Sequence, residues 1–447
     1  MIVLADGVYE EEGESTGMGL GGTRGVGGVL GGRFLASFVG HLSCETRATS
    51  LGMSDGGAGA QDNAIGGGFG WIDFLGLGSE RAVGPKMRRV EKRLLRQMTS
   101  AEATDRSRVV ILGEVNLDDP RTFPALRKIL SLYDASSPDE DGGEATTTTP
   151  PVAFVLAGNF VRTPIMARIR GRGSVEYKEY FDELGTVLAE FPRLVRESTF
   201  VFVPGDNDAW VSAGATGAAP PIPRKPVPEV FTSRIRRLFA ASGGGTGTGT
   251  GAGTGRDGGA RASPQAVWAS NPSRLSLFGP THEMLLFRDD MLGRMQRNAV
   301  VIGEDRDADD DDGDRGAGQG GGAQVPEAGE MDVDGGGGAR EDEAERTRAA
   351  AVRTAQRLVK TVLDQGYLSP FQPSIRPVHW DYAWGLHIYP LPSAMVLVDN
   401  SAPAFCVTYG RCHVMNPGSL LVPDRRGVAR WVEYKMGSLG QVEECSF

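Results

Sequence analysis

The sequence predicts an α/β layered domain, and two observations carry that prediction. Three strand–glycine–helix units follow one another between Arg108 and Gly205, and their strands are continuous apolar runs rich in β-branched residues. Such runs belong to strands buried on both faces, in a sheet covered by helices. The first run is 109–112, ending at Gly113, and a helix is expected over about 122–133 with Phe123, Leu126, Ile129 and Leu130 on one stripe. The second is 152–156, ending at Gly158, and its helix carries Tyr177, Phe181, Leu184 and Leu188 at helical spacing. The third, 200–203, ends at Gly205. Functional groups in such sheets gather at the carboxyl ends of the strands, so the loops after Leu112, Leu156 and Val203 are the ones to examine.

The remaining segments are less regular. Residues 1–75 alternate short apolar stretches with Gly-rich breaks; 1–4 and 33–39 are candidate strands, and 17–32 and 54–68 look like loose inserts. Residues 76–107 form a basic linker. Within it, a helix-like run over 86–96 sets Met87, Val90, Leu94 and Leu95 near one face, and its basic residues suit a solvated face better than a phosphate contact. The third segment, 108–447, is interrupted near 243–262 by a Gly/Thr tract and near 304–346 by an acidic, Gly-rich stretch. Neither insert can bury enough apolar surface to fold, so both are expected to be disordered. A helix is expected over 348–364 with Gly366 as its stop, then strands at 385–389, 394–398, 405–409 and 413–415.

The formal charge of −10 comes from one loop. Residues 304–345 hold sixteen acidic and three basic residues, a net of −13, which leaves the rest at +3. The overall acidity therefore does not argue against a partner that handles nucleic acid. Cys44, Cys406, Cys412 and Cys445 form no CxxC pair, and their spacing suits buried free thiols better than zinc or a disulfide framework. No apolar run approaches the roughly 18 residues of a membrane span, and no secretory signal is visible. An intracellular, soluble protein is expected.

The layout after Arg108 resembles the calcineurin-like metallophosphoesterases, whose strand-end loops supply two metal ions through GDxH, GDxxD, GNH(D/E), a lone His and GHxH. Two adjacent cations need a bridging carboxylate, imidazoles and open positions. Here each pattern keeps its place and loses its content. The loops read Gly113-Glu114-Val115-Asn116, Gly158-Asn159-Phe160-Val161-Arg162 and Gly205-Asp206-Asn207-Asp208. The lone His falls within Leu363-Asp364-Gln365, and GHxH becomes Asp399-Asn400-Ser401. None of His41, His282, His379, His387 and His413 lies at a ligand position. Asp206 and Asp208 fit a tight Asx-stabilised turn better than a weak cation contact. No catalytic, cofactor-binding or metal residue is therefore assigned, and no cofactor is expected. The fold class is an inactive phosphoesterase-like layered sandwich.

Longer motifs narrow the resemblance. Val152 to Phe160 (VAFVLAGNF) and Phe202 to Asp208 (FVPGDND) are similar to the B subunits of the replicative DNA polymerases alpha, delta and epsilon. So are Asn271-Pro272-Ser273-Arg274, Phe287-Arg288-Asp289-Asp290 and Cys412-His413-Val414-Met415-Asn416-Pro417-Gly418-Ser419. The segments LDQGYLSP at 363–370 and IYPLP at 388–392 favour the epsilon branch over delta and alpha. The resemblance covers roughly residues 108–425. It implies that an oligonucleotide-binding-type β-barrel, incomplete here over 1–75, precedes the sandwich. It further implies a non-catalytic nuclear subunit that scaffolds the cysteine-rich C-terminal domain of the polymerase epsilon catalytic subunit. Other polymerase epsilon subunits would be partners, with only weak, non-specific DNA contact. Because only the end of the barrel is recognisable, a truncated or late-starting chain is expected.

Two other readings stay open. An active phosphodiesterase or nuclease would need the lost ligands. A single-strand-binding module would need aromatic platforms, for which Tyr9, Phe34 and Phe38 are the available residues. Trp380, Tyr382 and Trp384 are expected in the core, as aromatics usually are, with a partner-contact surface as the alternative.

Overall fold

The computed structural model describes residues 4–11, 32–40, 44, 47, 107–134, 149–166, 173–211, 219–242, 265–277, 282–297, 338–423, 425–436 and 440–447. The 54–68 insert, the basic run 86–96, the Gly/Thr tract and residues 304–337 of the acidic stretch lie outside the described residues, as does most of the 17–32 insert. Among the described residues the chain is mixed α/β with three sheets. β1 (Leu4–Glu11) and β2 (Gly32–Gly40) form an antiparallel pair. Of the expected 1–4 strand, only Leu4 lies among the described residues.

The central sheet has six strands. β3 (Arg108–Leu112), β4 (Ala153–Ala157), β5 (Thr199–Val203) and β6 (Ala266–Trp268) run parallel to their neighbours, and β12 (Val428–Lys435) and β13 (Gln441–Ser446) extend it antiparallel. Side chains alternate between two cores, as period-two strands require. Val110, Leu112, Phe154, Leu156, Phe200 and Phe202 point to one core, shared with α1 (Thr122–Asp134), α2 (Gly173–Ala189), α3 (Pro192–Glu197) and α4 (Glu229–Ser242). Val109, Ile111, Val155 and Val201 point the other way, onto a second sheet.

That sheet, in the order β10-β11-β9-β8-β7, combines β7 (Ser273–Leu277), β8 (His282–Arg288), β9 (Ala394–Val398), β10 (Phe405–Tyr409) and β11 (Cys412–Asn416). Its inner residues Met284, Leu286, Val396 and Met415 meet the first sheet. Its outer residues Leu285, Phe287, Met395, Leu397 and Val414 pack against α5 (Met291–Arg297) and α6 (Gly338–Gln365). The layers are thus helices, sheet, sheet and helices.

Two expectations need correction. α6 begins ten residues before the expected 348, because residues 340–351 are rich in Ala, Glu and Arg, strong helix formers that need no apolar stripe. Its stop is as expected: Gly366 has φ +62° and its N–H donates to Val362 O, a left-handed helix end. The expected strand over 385–389 is instead the end of a 3-10 helix, Trp380–Leu386, followed by a single bridge between His387 and Tyr367. Five strands were not predicted. β8 is apolar only in its middle, and the edge strand β13 alternates without a buried face.

His282 at the start of β8 lies between the sheets, where Tyr434 Oη of β12 sits 3.1 Å from its Nε2. Burial, and after it the charges of His413 and Arg47, pushes this imidazole down to about 4. It is therefore neutral in the fold, and stability that is complete above the unfolded value near 6.5 is lost as pH falls toward 4. Between pH 7 and 4.5 the unfolding free energy of the native chain should fall relative to His282→Gln by about 2–3 kcal/mol. Urea melts at the two pH values test this, and parallel losses in both proteins would contradict it.

Candidate functional site

The carboxyl ends of β3, β4, β5, β8 and β9 converge on one buried cluster of charges. Arg288 ends the apolar run of β8 and is fully enclosed. Its Nε and Nη2 meet Glu114 Oε1 at 2.6 and 2.5 Å, and its Nη1 lies 3.3 Å from Asp290 and 3.8 Å from Asp206. Arg376, from the loop after α6, grips Asp206 through both oxygens at 2.8 and 3.1 Å and reaches Asp289 at 3.2 Å. Arg294 of α5 pairs with Asp289 and lies 3.5 Å from Asp206. Three guanidiniums are thus set among four carboxylates.

Two asparagines hold the loops that carry this cluster. Asn271 exchanges two hydrogen bonds with the Arg288 backbone, at 2.8 and 3.0 Å, across the β7–β8 pair. Asn416 accepts from Asp399 N–H and Gly418 N–H and donates to Asp399 O and Pro403 O. Both asparagines are fully buried, so each replaces backbone partners that the loops would otherwise lack. Glu114 itself has φ +46°, a conformation that non-glycine residues hold only when their surroundings impose it.

Electrostatics follow from the packing. Burial disfavours the charged guanidinium of Arg288, but Glu114, Asp290 and Asp206 outweigh it and hold the group above its ordinary value. Burial would likewise raise Asp206, yet the charges of Arg376 and Arg288 keep it below the usual carboxylate range. Asp289 is raised, because burial and the Asp206 charge outweigh Arg376 and Arg294. Asp208 is pushed up to about 6 by burial, against bonds from Gly205 N–H, Tyr177 Oη–H and Phe160 N–H. An ideal Cβ on Gly158 would stand 2.3 Å from Asp208 Oδ2, which is why the turn after β4 needs a glycine.

The expected site positions divide into two groups. Glu114, Asn159, Asp206, Asn207 and Asp208 do come together: Asn159 Nδ2 donates to Glu114 Oε2 at 3.3 Å, and its Oδ1 accepts from Asn207 N at 2.9 Å. Asn400 N is linked through Asp290 at 3.2 Å. Asp208 forms the expected turn through Gly205 N–H, whereas Asp206 bonds to arginines instead of serving a turn. Leu363, Asp364 and Gln365 do not join the cluster. Asp364 accepts from Tyr409 Oη and Cys44 N instead. Arg162 faces outward to Asp119 at 2.5 Å. His282 and His413 hydrogen-bond Tyr434 and Thr408, as structural histidines do. Of the thiols only Cys412 is fully buried; burial raises it, and raises Cys406 to about 12.

The donors do not fit a metal pair. Glu114 and Asp206 already bind guanidiniums, two loop positions are amides, and among the described residues no imidazole lies in the cluster. Sequence reasoning missed Arg288, Arg294 and Arg376 as its centre. The signal for Arg288 was a buried apolar strand ending abruptly in Arg-Asp-Asp; Arg376 had no local signal.

Trp380, Tyr382 and Trp384 are not in the core: they are 75%, 58% and 75% exposed, which corrects the expectation of burial. Tyr9 and Phe34 stand opposite each other on the β1–β2 pair, both half-exposed.

Residues 109–407 match the family model of the DNA polymerase alpha/epsilon B subunit. The chain belongs to that family. The DNA polymerase epsilon B subunit of Eremothecium gossypii is 29% identical over 429 residues, covering 94% of this chain and 51% of the relative. The Saccharomyces cerevisiae protein of the same name is 30% identical over 348 residues, covering 77% and 42%. DNA polymerase epsilon subunit 2 of Mus musculus is 26% identical over 311 residues, covering 69% and 41%. The chain spans about half the length of these curated relatives. Among the described residues, no helix is long and apolar enough to cross a membrane.

In this family member the guanidinium of Arg288 is fully enclosed against Glu114, and its loss is costly. Replacing it with Leu leaves Glu114 buried without its partner, and the unfolding free energy should drop by about 3–5 kcal/mol in urea. Adding Glu114→Gln should recover part of that loss. A drop below about 1 kcal/mol, the size expected of an exposed pair, would show that the network is dispensable.

Proposed function

We propose that this chain is a non-catalytic accessory (B) subunit of the DNA polymerase epsilon complex, acting in DNA replication in the nucleus. In this reading it scaffolds the cysteine-rich C-terminal domain of the catalytic subunit, contacts other polymerase epsilon subunits, and touches DNA weakly and without sequence preference. Residues 1–75 belong to an oligonucleotide-binding-type barrel, 76–107 are a basic linker, and 108–447 are a phosphoesterase-like sandwich turned to binding.

The observation that carries the non-catalytic reading is the content of the strand-end cluster. A guanidinium keeps its proton throughout the working pH range, so it can act neither as a general base nor as a Lewis acid that ionises water. Arg288 and Arg376 supply positive charge to Glu114 and Asp206 without an exchangeable coordination position. The cluster can hold loops together and cannot generate a hydroxide.

Co-expression with the C-terminal domain of the polymerase epsilon catalytic subunit should give a stoichiometric complex. The purified chain supplied with Mn²⁺ should hydrolyse bis(p-nitrophenyl) phosphate no faster than buffer. Failure to form the complex would overturn the scaffold reading, and turnover would restore the phosphodiesterase.

A further inference from the structure

We infer that Trp380, Tyr382 and Trp384 form a docking platform for a basic, Arg- or Lys-bearing segment of the polymerase catalytic subunit. The inference rests on the accessory-subunit reading and deepens it by naming the face and the chemistry that fits it.

The first ground is that these side chains serve no core. All three rings are largely exposed, and among the described residues neither the two indole N–H groups, the phenol nor any of the rings has a partner. Aromatic residues that serve a core bury their rings and satisfy their polar ends.

The second ground is rigidity. The 3-10 helix Trp380–Leu386 is pinned at both ends: His379 N–H donates to Ile222 O at 2.8 Å, and Ile388 N–H to Gly366 O at 2.8 Å. Leu386 and Ile388 are buried, and Leu368 N–H donates to Leu386 O at 2.9 Å. Anchored backbone with projecting aromatics presents binding groups whose ordering is already complete, the condition under which Trp and Tyr act as hot spots.

The third ground is area and charge. Taking about 200 Å² per aromatic side chain, the exposed fractions amount to roughly 400 Å². That is about half of the ~800 Å² one protein contributes to a standard interface, too much for incidental exposure and enough for an interface centre. Asp381 lies on the same turn, exposed and without a hydrogen bond or ion pair among the described residues. Nearby Arg274 is neutralised by Glu283. Electron-rich ring faces beside a carboxylate attract guanidinium and ammonium groups. The same carboxylate repels the phosphates of a nucleic acid, and it would face its own copy across a two-fold dimer.

The test uses the full chain and the catalytic subunit's C-terminal domain, with affinity measured at low and high salt. Trp380→Ala/Trp384→Ala should weaken binding by about 100-fold, the scale of paired hot spots. The melting temperature should stay within about 2 °C, because exposed residues away from special features matter little to stability. Asp381→Lys should weaken binding by about 10-fold at low salt, with the effect fading at high salt. Binding within about twofold of wild type for the double variant would overturn the platform while leaving the accessory-subunit reading intact. No complex with the wild-type chain would overturn both. Loss of oligo-dT binding or of self-association in the double variant, with the subunit contact retained, would overturn the inference and assign the face to nucleic acid or to a second copy.

Discussion

The two sheets of this molecule are tied at one end by buried guanidiniums. Arg288 leaves the second sheet and bonds Glu114 of the first, and Arg376 reaches across to Asp206 at the end of β5. Charges so fully enclosed are tolerable only when each is paired with good geometry, because desolvation costs several kcal/mol per ion. The bidentate Arg376–Asp206 contact and the paired Nε and Nη2 contacts of Arg288 meet that condition. The asparagine clamps at Asn271 and Asn416, the left-handed Glu114 and the close turn at Gly158 all exist around this network.

The arrangement suits strand-end loops that hold one another through paired charge. Phosphoesterase loops collect negative charge so that two divalent cations can sit among them. Here Glu114, Asp206, Asp289 and Asp290 gather at the strand ends, and the cations that pair with them are arginine side chains. Arginine suits this role better than lysine, since its planar fork satisfies two oxygens at once. Amides at the strand ends bond one another, as in Asn159 with Asn207.

Much of the architecture was legible in the sequence because buried parallel strands announce themselves. The runs at β3, β4, β5 and β9 are apolar nearly throughout, and their observed bounds differ from expectation by a residue at most. Strands with a polar face or charged ends, such as β8 and β13, lacked that signature. The 3-10 helix was read as a strand because short apolar runs do not distinguish the two. The strand-end loops were legible too, but the arginines that fill them were not. Arg288 and Arg376 are far apart in sequence and share the Asp206 carboxylate. The exposure of Trp380 and Trp384 was likewise hidden, since composition favours burial for tryptophan.

The central claim, that arginine side chains balance the buried strand-end carboxylates, is tested most directly by a crystal structure grown in excess Mn²⁺ with anomalous data. The account predicts the Arg288 guanidinium on Glu114, Arg376 on Asp206, and no anomalous peak among the strand-end loops. A manganese ion coordinated by Glu114 and Asp206, with Arg288 displaced, would contradict it.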